Sequence, residues 1–112
     1  MTDGIDSAFD RGHVVWHDGL FKMRARPWFV LSTDTHPFHG EEYLVAGVTT
    51  TERASAVELA DTAWATGGLP NRSYVSPWFV TTLKHADIDQ GIGAVTDDVC
   101  VTILDAVWDY LS

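Results

Sequence analysis

"YLVAGVTTT", residues 43–51, is the run whose reading decides the fold. Tyr, Leu, Val and Thr crowd it, and β-branched and aromatic side chains of this kind suit a pleated, half-buried surface, so it reads as a strand. Upstream, "ARPWFVLS" (25–32) reads as a second strand. Its Pro27 has no N–H to give to a ladder and belongs at a strand start, an edge or a bulge. Arg26 stands at the mouth of that apolar run with a charge it cannot lose. It marks either the point where a strand leaves solvent or a guanidinium held ready for an anion. "HVVWHD" (13–18) is a short apolar run ending at a turn with Gly19, and "TDTHPFHGEE" (33–42) is turn material. Downstream lie a weaker strand in "AVELAD" (56–61), a loop in "TGGLPNRS" (66–73) and a strand interrupted by Pro77 in "YVSPWFVTTL" (74–83).

The period then changes. In "TDDVCVTILDAVWDYL" the apolar positions Val99, Ile103, Ala106, Val107 and Tyr110 follow 3.6-residue spacing. Thr96 is a good N-cap, and Asp97 and Asp98 lie where the helix dipole favours acids. Five or so short strands closed by one helix predict a mainly β (α+β) chain. The architecture is a small, bent antiparallel barrel with a C-terminal helix over about residues 96–111. Residues 1–12 read as a flexible N-terminal arm and 13–112 as a single domain. Trp28 and Trp108 read as buried.

At 112 residues the chain suits one domain, and 46% hydrophobic residues favour folding over disorder. No apolar run approaches the ~20 residues that span a bilayer, so no membrane association is expected. The N-terminus lacks a signal-peptide pattern and Cys100 is the lone cysteine, which together point to the cytoplasm. Sixteen acids against seven bases give a net charge of −9. Such a field repels polyanions in general, and it also suits solubility in concentrated salt. His13 and His17 are four apart, but on a strand that spacing separates them by ~13 Å, too far for one zinc ion. "HPFH" (36–39) has no acid pair or cysteine to complete it, so no metal or other cofactor is expected.

The ordered set "GHVVWHD", "RPWFVLST", "YLVAGVTTT", "GGLPNRSYV" and a C-terminal helix resembles the MazF/PemK-type toxin endoribonucleases of type II toxin–antitoxin systems. The resemblance covers roughly residues 12–111. It implies an SH3-like barrel, usually a homodimer, that cleaves single-stranded RNA without a metal and is neutralised by a cognate antitoxin protein. By position it puts the family's catalytic arginine and threonine on Arg26 and Thr49, with Thr50 the alternative if the alignment slips by one. It also marks Trp16, Trp78 and Phe79 as the aromatics placed to bind RNA. Two departures stand out. The loop "GLFKMRA" is short and lacks the glycines common in the family, and "SPWFVTTLK" lacks the usual Arg and Asp.

The chemistry suits these residue types. RNA carries its own nucleophile in the 2′-hydroxyl, so an enzyme need only orient it and stabilise charge on the phosphorane oxygens, a task fitted to a guanidinium fork. Lys22 and Arg24 join Arg26 in one basic cluster, expected to contact RNA phosphates. His17 is a supporting candidate for proton transfer, being the type of group that titrates near neutrality. Ser73 is expected to bond backbone locally. The alternative function is a non-catalytic SH3-like protein-binding module, or a topoisomerase-poisoning toxin of the same fold, in which "AVWDYLS" would matter more than Arg26.

Overall fold

The β-branched run forms β3 (Glu42–Thr49), the centre of an antiparallel sheet, in a computed structural model that describes residues 7–19 and 24–112. On one side β3 pairs with β2 (Arg26–Val30), which pairs in turn with β1 (His13–His17). On its other side lies β6 (Ser73–Lys84). Three further strands complete the sheet: β4 (Val57–Leu59), β5 (Trp64–Gly67) and β7 (Gln90–Val95), in the order β4-β6-β3-β2-β1-β7-β5. The two edges of this sheet are therefore consecutive in sequence. Residues 60–63 join them through a short 3₁₀ turn, Asp61–Ala63. Such a link spans at most roughly 17 Å. The edges must lie near one another, and the sheet curls into a nearly closed barrel.

Alternation sorts the side chains. Val14, Phe29, Ala46, Val48 and Val75 point inward and are buried in one core. That core is plugged by α1 (Asp97–Leu111), whose Ile103 and Val107 lie one turn apart on the same face. Thr96 caps the helix as expected, its side chain accepting from the Val99 amide at 3.4 Å. The opposite face of β1, β2, β3 and β6 builds a second core from Val15, Trp28, Val30, Tyr43, Val45 and Leu83.

Three expectations change. β5 and β7 were not anticipated, because "WATG" and "QGIGAV" carry glycines that read as loop. Those glycines are where the two strands touch: a Cβ on Gly93 would sit 2.3 Å from the Thr66 carbonyl. Trp108 is exposed (69%) rather than buried, since it follows Val107 by 100° around the helix and leaves the buried stripe. Cys100 is half-buried, and burial raises its thiol pKa. The end of the expected arm is tied down as well. Phe9 packs on the second core, and its amide donates to Tyr43 Oη at 3.1 Å. Arg11 Nε donates to the Leu31 carbonyl at 2.6 Å, and Gly12 is buried.

Candidate active site

The antiparallel course of β2 and β3 brings the two principal candidates to one end of the barrel. β2 and β3 pair Trp28 with Gly47 and Phe29 with Ala46. Beyond that pairing, Arg26 opens β2 and Thr49 closes β3, so both stand at the same end of this antiparallel pair. Both residues line one cleft of about 380 Å³, together with Trp16, Arg24, Thr50, Thr51, Asn71 and Ser73. Leu69 and Pro70 form its wall from the loop before β6.

Each member has its own surroundings. Arg26 is half-buried, and among the described residues no carboxylate lies within ion-pair distance of it. Its guanidinium carbon stands 5.4 Å from the centroid of Phe79 and 5.7 Å from that of Trp28. Thr49 Oγ1 accepts from the Thr51 amide at 3.1 Å, an ST-turn that fixes the hydroxyl and leaves its proton to give away. Thr50 is exposed at the rim. Ser73 Oγ donates to the Asn71 carbonyl at 2.9 Å, the local role expected of it.

His17 pairs with Arg26 across β1 and β2, yet it is buried (3% exposed) and does not line the cleft. The Gly19 amide donates to its Nδ1 at 2.8 Å, so the neutral ring carries its proton on Nε2 and its lone pair is already used. His17 thus serves the turn after β1. Trp16 forms part of the cleft wall while its Nε1 donates to Asp18 Oδ1 at 2.6 Å. Arg24 is exposed at the mouth. Lys22 lies outside the described residues. Trp78 is 40% exposed but sits away from the cleft, its ring 5.9 Å from that of Tyr110. Among the described residues no group of three or more His, Cys, Asp or Glu side chains is placed to hold a metal ion.

The residue that sequence reasoning missed is Gly47. β6 pairs Val80 with Ala46 and Ser76 with Gly47, so Pro77, Trp78 and Phe79 form a three-residue bulge with nothing opposite. Pro77 fits there because a bulge asks no ladder hydrogen bond of it. The bulge throws Phe79 over Gly47, where a Cβ would meet its ring at 2.7 Å. The available signal was a glycine inside an otherwise β-branched strand, which often marks a close approach.

At the opposite end of β2 and β3 a larger, apolar groove of about 660 Å³ opens between the sheet and α1. Leu31, Leu44, Val80, Leu104, Trp108 and Leu111 are among its lining residues.

No family sequence model and no curated protein sequence matches the chain significantly. Solved structures do. An endoribonuclease in complex with its cognate antitoxin from a mycobacterial species superposes with a TM-score of 0.75 at 23% identity, covering 94% of each chain. A MazE-MazF complex from Deinococcus radiodurans gives 0.71 at 22% identity, covering 96% of this chain and 98% of that one. An Mtb toxin gives 0.61 at 28% identity over 76% of this chain and 91% of its own. The fold is that of the MazF-type toxins.

Proposed function

We propose that this chain is a toxin endoribonuclease that cleaves single-stranded RNA by internal transesterification, with Arg26 and Thr49 as its catalytic pair. The observation that carries the reading is a single polar cleft shared by an oriented hydroxyl and an arginine with no described carboxylate within ion-pair distance. In the reaction the 2′-oxygen bonds to phosphorus as the 5′-oxygen bond breaks. The 2′-hydroxyl loses a proton and the leaving 5′-oxygen gains one, so no water or metal-bound nucleophile is consumed. The Arg26 fork stabilises the phosphorane oxygens and Thr49 donates to one of them. Arg24 contributes a phosphate contact at the mouth, and Trp16 offers a stacking surface.

The same reading includes a homodimer and an antitoxin protein. The apolar groove beside α1 supports that part, since Trp108 and Leu111 are both 69% exposed beside it. Exposed apolar patches of this kind mark protein interaction sites. That groove is also the feature favouring the second reading, a protein-binding toxin without catalysis.

Purified protein incubated with unstructured RNA, with and without EDTA, decides between the two. The expected result is cleavage that survives EDTA and leaves 2′,3′-cyclic phosphate and 5′-hydroxyl ends. Arg26→Ala should lose roughly 10²–10³-fold in rate, by analogy with loss of one oxyanion donor. Wild-type protein as inert as Arg26→Ala would overturn the nuclease reading and favour the binder.

A further inference from the structure

We infer that Phe79, acting with Trp28, is a positioning residue that holds the Arg26 guanidinium in its working orientation. The inference rests on the nuclease reading for its consequence in catalysis, and on geometry alone for the positioning itself. The Phe79 and Trp28 centroids are 5.2 Å apart with planes inclined at 58°, and Arg26 lies over both. Two rings that close together lie on one side of the guanidinium, which leaves its other side for a phosphate to approach.

Three features show that the arrangement is built. The bulge at 77–79 exists only on β6 and brings Phe79 over the β2–β3 pair. Gly47 leaves the space that the ring occupies, and its absent Cβ would also lie 3.5 Å from Arg26 Nη1. Trp28, finally, is 1% exposed, with its Nε1–H buried and without a hydrogen-bond partner among the described residues. A phenyl ring would avoid that unsatisfied donor. The indole has the strongest cation-binding face among the aromatics, which accounts for its use at this position. Phe79 is 42% exposed, so Arg26 rests against one buried ring and one that solvent reaches.

The test compares wild type, Phe79→Leu and Phe79→Tyr. Leucine keeps apolar cover and removes the π face; tyrosine keeps the face. The first readout is the Arg26 Nε–Hε resonance in ¹⁵N-labelled protein, assigned by its loss in Arg26→Lys. It should be ring-current shifted in wild type and Phe79→Tyr, and should move toward the free-arginine position in Phe79→Leu. The second readout is RNA cleavage, where Phe79→Leu should lower kcat by roughly ten- to a hundredfold with KM little changed, as a misplaced catalytic group does. Phe79→Tyr should restore it. An Arg26 resonance indifferent to the ring, or a Phe79→Leu defect confined to KM, as base stacking predicts, overturns the inference. If wild type cleaves no RNA, the nuclease reading fails and the resonance alone still decides whether the ring positions Arg26.

Discussion

Replacing Gly47 by alanine adds one methyl group, and its consequence follows from distances at the bulge. The Gly47 backbone is not among the positive-φ glycines, so alanine meets no backbone strain there. By itself the change would stabilise the fold by about 0.4–1 kcal/mol through reduced freedom of the unfolded chain. Against this, the new carbon would lie 2.7 Å from Phe79 Cδ2, well inside the ~3.5–4.0 Å of an ordinary carbon contact. The ring must retreat by about 0.8 Å or more, outward, since its other neighbours are core. That weakens an aromatic pair worth about 0.5–1.5 kcal/mol and a cation–π contact worth about 0.5–1 kcal/mol. The loss outweighs the gain, and Gly47→Ala should destabilise by about 0.5–1.5 kcal/mol, a fall in Tm of about 2–8 °C. Calorimetry on Gly47→Ala, Phe79→Ala and the double variant measures the coupling directly. With the ring already removed, alanine at 47 should be neutral or stabilising. If it costs as much in the Phe79→Ala background as in wild type, Gly47 is not making room for the ring and the reasoning fails.

Other perturbations have defined outcomes. Ile103→Ala, in the fully buried plug of the barrel, should cost about 2–5 kcal/mol in urea unfolding, with a midpoint shift of a few tenths molar counting against the plug. Thr96→Ala removes the cap of α1 and should cost about 1 kcal/mol by the same assay, with no change expected in RNA cleavage. Burial raises the Tyr43 pKa above its ordinary 10.0, so its contribution is complete below about pH 10 and is lost as pH rises through the raised value. The stability difference between wild type and Tyr43→Phe should therefore narrow in alkali, and a constant gap from pH 8 to 11 would refute it. Burial likewise raises the Cys100 thiol pKa, so iodoacetamide should modify it more slowly at pH 8 than after unfolding.

How far the sequence could be read depended on whether a residue's role was local or tertiary. The β-branched run at 43–51, the Arg-Pro entry at 26–27 and the period change after Thr96 act through backbone preference, and the corresponding elements stand within a residue or two. Arg26 and Thr49 came from a resemblance, and the two line one cleft. What could not be read depends on contacts between distant segments. The glycines of β5 and β7 look like loop until the partner strand is known to pass within touching distance. His17 is a separate case, a local one: its Nδ1 lone pair is taken by the Gly19 amide, two residues on, in a turn whose geometry the residue types do not specify. Trp108 misled through its size, although the helical spacing had already put it off the buried stripe.

The bulge in β6 also bears on how such a fold diversifies. The ladder is secured separately on either side of it, from Ser73 to Ser76 and again from Val80 to Lys84. Chain length between those two anchored stretches is free of the registry that forbids slippage elsewhere in a sheet. A lineage can therefore lengthen, shorten or rewrite residues 77–79 and alter what overhangs the arginine without refolding the barrel, so that descent with modification finds there a hinge of variation beside a fixed frame.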